Sequence, residues 1–164
     1  MQTIKIRNAN ENDIAVINQL ATKIWHDHYP GIITVEQINF MLDKMYSHKV
    51  IEEQMQNGYI WLLASDNKTP LGFLSCNKVN EGNYFLNKLY IDTTNQQKGI
   101  GGLLLKTCIG MCDGINAMRL QVNRKNVKAI NFYFKNGFVI EDAKDFDIGS
   151  GYFMKDFVMI KKFN

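Results

Sequence analysis

The stretch Gln96-Gln97-Lys98-Gly99-Ile100-Gly101 constrains this chain more than any other. It lies between a strand-like run, Tyr84 to Asp92, and a strongly apolar helix-like run, Leu103 to Cys112. Two glycines two apart let the backbone turn tightly and come close to a ligand. A helix opening directly after them offers unpaired N–H groups and the positive end of its dipole. Lys98 adds a full positive charge. Together these features make a site for a polyphosphate, so a phosphorylated cofactor is expected here.

The rest of the chain reads as one domain over residues 1–164, long enough to bury a sizeable core. A hydrophobic fraction of 46% is that of an ordinary globular protein. No run is long enough to span a bilayer, and Met1-Gln2-Thr3-Ile4-Lys5 lacks the apolar core of a secretion signal, so a cytoplasmic location is expected. Net charge is +3 and no block of five like charges occurs, which argues against nucleic acid and suits a polyanionic cofactor. Cys76, Cys108 and Cys112 are too few for a disulfide framework and read as buried thiols rather than metal ligands.

Periodicity predicts a short strand at Thr3 to Arg7 and a helix from Asn10 or Asn12 to His28, ended by Pro30-Gly31. Thr34 opens a second helix through Met45, and a third covers His48 to Gln56. Strands follow at Tyr59 to Ser65, Leu71 to Val79 and Tyr84 to Asp92, with Asp66 to Pro70 as a turn. After the Leu103 helix come a strand at Met118 to Val122, a helix at Val127 to Lys135, and strands at Phe138 to Glu141 and Phe153 to Lys161. The order β-ααα-βββ-α-β-α-ββ is mixed α/β. It excludes a Rossmann domain, which alternates β and α around a mostly parallel sheet. The local motif agrees: Leu104 stands where the third Rossmann glycine would be, and Lys106-Thr107 lies too deep in the helix for a P-loop. An ordinary strand-to-helix turn remains the bland alternative.

Gln96-Gln97-Lys98-Gly99-Ile100-Gly101 matches every fixed position of Q/R-x-x-G-x-G/A, the signature of the GNAT superfamily of acyl-CoA-dependent N-acyltransferases. A second block, Leu120-Gln121-Val122-Asn123 followed by Asn126, Ala129, Tyr133 and Gly137-Phe138, also resembles that family. The element order is similar to the family's over essentially the whole chain. Leu86-Asn87-Lys88-Leu89-Tyr90-Ile91, with Trp25, Tyr29-Pro30-Gly31 and Met41-Leu42, is weakly similar to a bacterial branch that includes polyamine acetyltransferases.

The resemblance implies a GNAT fold: a mixed, mostly antiparallel sheet flanked by helices and splayed between strands 4 and 5. It implies acetyl-CoA as cofactor. The pantetheine arm would pair with the backbone of Leu89, Tyr90 and Ile91, and the amide of Leu89 or Tyr90 would face the thioester carbonyl. The pyrophosphate would lie on Gln97, Lys98, Gly99, Ile100, Gly101 and Gly102, with Gln96 beside it. Asn123 and Asn126 would border the pantetheine, although Asn126 is equally at home as a helix cap.

Tyr133 is the expected general acid for the departing thiolate, since a phenol stays protonated at neutral pH; the alternative is a core tyrosine. Asn87 and Lys88 stand where a carboxylate base might have served, so the base is unassigned. His26, Asp27 and His28 end the first helix and read best as a solvated end; no metal site is expected. Acceptor groups are expected from Trp25, His28, Tyr29 and Tyr46, and from the acidic run that holds Asp145 and Asp147, which read alone is a solvated loop. The expected partner is a small-molecule primary amine, with a polyamine as the finer reading, and neither nucleic acid nor membrane; a homodimer is left open. A protein N-terminal or lysine acetyltransferase, and a non-catalytic acyl-CoA sensor, are the alternatives.

Overall fold

The computed structural model describes residues 3–94 and 98–164. Seven strands are hydrogen-bonded in the order β1-β2-β3-β4-β5-β7-β6. The β1/β2, β2/β3, β5/β7 and β6/β7 pairs are antiparallel and β4/β5 is parallel. Two compact units divide the chain: Met1–Asn77 with Lys88–Met111, and Lys78–Asn87 with Cys112–Asn164.

The first unit opens with β1 (Ile4–Asn8) and a single 3-10 turn, Glu11–Asp13. The Asn10 side chain caps that turn, and Asp13 returns a bond to the Asn10 amide at 2.9 Å. Arg7 grips the same carboxylate through both terminal nitrogens at 2.8 Å, so β1 and the helix start are clamped together. Helix α1 (Ile14–His28) turns Ile17, Leu20, Ala21, Ile24 and Trp25 inward at helical spacing. Thr34 caps α2 (Val35–Tyr46) and Ser47 caps α3 (His48–Gln56). Strands β2 (Ile60–Asp66) and β3 (Thr69–Asn80) carry near-continuous apolar runs, because both faces of this part of the sheet are buried. The unit ends with the second half of β4 (Asn83–Ile91) and helix α4 (Ile100–Met111).

The second unit holds the first half of β4, then β5 (Ala117–Asn123), α5 (Val127–Lys135), β6 (Val139–Gly149) and β7 (Tyr152–Lys162). Its parallel register runs from Asn83 opposite Ala117 to Leu86 opposite Leu120. Both strands continue beyond this register, β4 to Ile91 and β5 to Asn123.

Three expectations are corrected. Thr69 and Pro70 belong to β3, not to a turn. The real turn is Asn67-Lys68, with Asn67 at φ 53°, and the missing Pro70 N–H is absorbed by a register shift at Ala64/Ser65. Helix α4 starts at Ile100, inside the glycine stretch, rather than at Leu103. The acidic run is not a loop but the body of β6, which ends at Gly149 instead of Glu141. It is polar on both faces because β6 is the outer strand of the sheet, where charge discourages pairing with another chain. Ser150 and Gly151, both at positive φ, close its hairpin to β7.

Candidate active site

In the first unit, β4 leads into the glycine turn. The Asp92 amide donates to Leu71 Oat 2.8 Å, and the Asp92 carboxylate then organises the residues that follow. It accepts from the Thr94 amide at 3.0 Å, the Thr94 hydroxyl at 2.7 Å and Lys23 Nζ at 2.6 Å. Burial pushes the Asp92 carboxyl up, but the Lys23 and Thr94 bonds outweigh it and hold the group below its ordinary range. Sequence reading did not find this network, because Lys23 and Asp92 lie on elements far apart in the chain.

Asn95, Gln96 and Gln97 lie outside the described residues, so the calls on Gln96 and Gln97 have no structural counterpart. Lys98 and Gly99 are exposed at the mouth of α4. Gly99 has φ 87°, and the first helical bond runs from the Leu103 amide to its carbonyl at 3.0 Å. The amides of Ile100, Gly101 and Gly102 therefore lie ahead of the helical ladder, as a first turn requires. A Cβ added at Gly99 or Gly102 would meet no atom within 4 Å. The turn is an open cradle of amides at a positive helix end, and it fits the diphosphate of coenzyme A.

Along β4 the side chains alternate. Leu89 and Ile91 are half-buried, while Lys88 and Tyr90 turn toward an aromatic cluster. Trp25 stacks on Tyr29 at 4.4 Å between centroids and lies 5.6 Å from Tyr90 and 5.8 Å from Tyr46. The Tyr29 and Tyr90 hydroxyls are 3.0 Å apart. The Trp25 indole N–H is buried and makes no hydrogen bond among the described residues. The structure thus brings together Trp25, Tyr29, Tyr46 and Tyr90, with His28 edge-on to Tyr29. Trp25, Tyr29 and Tyr46 are buried, so these rings form a wall rather than an exposed patch.

Lys88 is buried, with its ammonium 5.2 Å from the Tyr46 ring and 5.3 Å from the Trp61 ring. Among the described residues its ammonium makes one hydrogen bond, to Gln54 Oε1, which is long at 3.4 Å. Burial pulls its pKa down to about 8. Gly72 of β3 explains how β4 is seated. A Cβ there would sit 2.6 Å from Ile91 Cδ1 and 2.7 Å from Tyr90 O, so only glycine lets the strands approach this closely.

In the second unit, β5 ends at Asn123, whose Oδ1 accepts from the Lys125 amide at 2.9 Å. Asn126 is buried and caps α5 through the Ala129 amide at 3.2 Å, the helix-cap alternative of the sequence reading. Tyr133 is 8% exposed on α5, its ring 5.3 Å from Phe132 and 5.6 Å from Phe138. The acidic strand is largely neutralised by its own neighbours. Arg119 holds Glu141 at 2.8 Å, Lys144 holds Asp142 at 3.2 Å, and Arg124 holds Asp145. Asp147 accepts from the Gly149 amide at 2.9 Å.

One further carboxylate stands out. Asp156 of β7 is 3% exposed, and burial pushes its pKa up to about 6 against the opposing charge of Arg124. A signal for it exists in the sequence, a lone acid in Met154-Lys155-Asp156-Phe157-Val158-Met159, in phase with Met154 and Val158. All three cysteines are buried and none is in a disulfide.

Comparison with known proteins agrees with this geometry. Residues 20–138 match the model of the acetyltransferase (GNAT) family. The chain is 30% identical to the spermidine N(1)-acetyltransferase of Thermoplasma acidophilum, over 98% of each chain. Its structure is similar to the PaiA N-acetyltransferase of Thermoplasma acidophilum solved with coenzyme A, with a TM-score of 0.85 and 28% identity over 98% of this chain and 99% of that one. A more partial likeness, 25% identity over 60% of this chain and 63% of the relative, links it to the peptidyl-lysine N-acetyltransferase YjaB of Salmonella typhimurium. The chain belongs to the acetyltransferase (GNAT) family and is an acetyl-CoA-dependent N-acetyltransferase.

Proposed function

We propose that this enzyme moves an acetyl group from acetyl-CoA directly to a primary amine of a small polycationic acceptor of the spermidine class, acting in the cytoplasm as one catalytic domain over residues 1–164. The observation that carries the acceptor is the end-to-end likeness to a spermidine N(1)-acetyltransferase. The buried aromatic wall of Trp25, Tyr29, Tyr46 and Tyr90 supports it, since aromatic faces hold alkylammonium groups.

In this reading the amides of Gly99 to Gly102 and the charge of Lys98 hold the pyrophosphate. The backbone of Leu89 to Ile91 pairs with pantetheine, and the Leu89 amide stabilises the oxyanion; such donors are worth about 2.7–4 kcal/mol in other acyl-transfer enzymes. Tyr133 gives its proton to the thiolate as the C–S bond breaks. His28, edge-on to Tyr29, borders the acceptor.

A lysine side chain of a protein is the second reading, favoured by the partial likeness to a peptidyl-lysine N-acetyltransferase. An acceptor panel followed by thiol release from acetyl-CoA tests both. Spermidine is expected to exceed a neutral primary amine, glutamate and a lysine peptide in kcat/KM. A lysine peptide in first place would overturn the polyamine reading and leave the acetyltransferase intact.

A further inference from the structure

We propose that Asp156 is the base of the reaction, the carboxylate that takes the proton from the incoming ammonium group. The inference rests on the acetyl-transfer reading above and assigns the one role that reading leaves without a residue.

The argument starts from register. Asp156 of β7 lies opposite Asn123, the last residue of β5, on one side and opposite Lys144 of β6 on the other. Residues directly opposed in an antiparallel ladder share a face. Asp156 therefore shares its face with Asn123 and, two residues back along β5, with Gln121. Met118, Leu120 and Val122 point to the other face. The C-terminal end of α5 lies on that other face, because Lys161, opposite Met118, contacts Gly137 and donates to Asn136 O at 2.9 Å. Tyr133 belongs to α5. The helix that carries the acid and the carboxylate of Asp156 thus lie on opposite faces of β5. Such a disposition lets a base serve the incoming amine without competing with the acid for the departing thiolate.

Asp156 also sits at the right level. The β4/β5 register stops at Leu120, and Gln121 to Asn123 run on with β7 alone as their described ladder partner.

The environment of Asp156 is that of a retained base rather than a structural ion. Its carboxylate makes no hydrogen bond and no ion pair among the described residues, although the residue is buried. The charged groups around it within its unit are already engaged: Arg124 with Asp145, and Lys144 with Asp142 at 3.2 Å. Lys155 precedes it and points to the opposite, exposed face, opposite Asp145. A carboxylate titrating near 6 is ionised at neutral pH yet basic enough to hold a proton in transit.

The step balances. Asp156 takes one proton from R–NH3⁺. The freed nitrogen pair attacks the thioester carbon, and the C–N bond forms. The intermediate collapses, the C–S bond breaks with its electron pair on sulfur, and Tyr133 protonates that sulfur. The second nitrogen proton restores Tyr133, and Asp156 returns its own to solvent. The sum is acetylated amine, coenzyme A thiol and one released proton.

The test compares wild type with Asp156→Asn on two acceptors: spermidine, whose amines are protonated at pH 7, and a weakly basic amine already neutral there. With spermidine the variant is expected to lose about 10²-fold or more in kcat/KM, together with the acid limb near pH 6. With the neutral amine the loss should be much smaller. Acetyl-CoA affinity by calorimetry should be unchanged and the melting temperature no lower. Carboxyl carbon NMR on the unliganded wild type should place the Asp156 midpoint near 6. A limb that persists in the variant, an equal loss on both amines, or a midpoint below 5 overturns the assignment, and the NMR arm decides even if the variant does not fold. Wild type that turns over neither amine overturns the acceptor reading and this assignment together. Wild type and variant that are equally active overturn the assignment alone.

Discussion

At the scale of single residues, one buried cation is expensive to keep. Lys88 has its pKa lowered from its ordinary 10.5 to about 8 by burial, a difference of about 3 kcal/mol against the charged form at pH 7. The sign follows from proton binding. Between pH 8 and 10.5 the unfolded chain holds more protons than the folded one, so stability rises with pH through that window, and the penalty is fully present below 8. Urea unfolding is expected to give a larger ΔG at pH 9.5 than at pH 7, and Lys88→Met should be more stable at pH 7 and lose most of that slope. Equal stability at both pH values in wild type would mean that the ring contacts with Tyr46 and Trp61 offset the desolvation. Tyr133 is a separate case. Tyr133→Phe keeps the ring packed against Phe132 and Phe138 and removes only the hydroxyl. A fall in kcat of about 10²-fold with unchanged acetyl-CoA affinity is expected of a lost general acid. An unchanged kcat, with chemistry shown to be rate-limiting, would return Tyr133 to the core. Tyr133 was singled out by a motif, whereas no motif marks Lys88 or Asp156. Their character comes from burial and from neighbours on other elements, which one sequence does not display.

At the scale of elements, legibility followed periodicity. The ranges of α3 and α5 agree with the spacing of their apolar residues and their Asn57-Gly58 and Asn136-Gly137 stops. The edge strand β6 was cut short because Glu141 to Asp147 has no apolar alternation, its pairing with β7 being supplied by backbone. The start of α4 was set late because glycines have poor helix propensity; here they occupy its first turn, where open backbone matters more. That turn allows a test in which stability and binding move apart. A Cβ at Gly102 meets no atom within 4 Å, and Gly102→Asp puts an anion at a helix N-terminus, so stability should hold or rise by about 0.3–1 kcal/mol. The same carboxylate should repel the pyrophosphate and abolish measurable acetyl-CoA binding by calorimetry. Retained binding would remove the phosphate role from this turn. Gly72→Ala should behave oppositely. Its Cβ would press on the Tyr90 carbonyl and Ile91, costing about 1–3 kcal/mol in urea unfolding as overpacking does.

At the scale of the whole molecule, charge decides what salt should do to each substrate. The chain carries a net +3, and the acidic run that promised attraction for a polyamine is mostly spent on Arg119, Lys144 and Arg124. Among the described residues only Asp147 of that run has no cation beside it. A polycation therefore meets no strong long-range field from this strand. Coenzyme A, a polyanion, meets a mildly attractive one. Raising ionic strength shortens the screening length from about 10 Å at 0.1 M to about 3 Å at 1 M. KM for acetyl-CoA should consequently rise with salt, while kcat/KM for spermidine at saturating acetyl-CoA stays nearly flat. The double change Asp145→Asn, Asp147→Asn should leave the spermidine rate within about twofold, since exposed ion pairs contribute little. A steep fall of spermidine kcat/KM with salt, abolished by that double change, would show that β6 steers the acceptor after all. The outer strand would then be part of the acceptor's entry path, not only a charged guard on the sheet's edge.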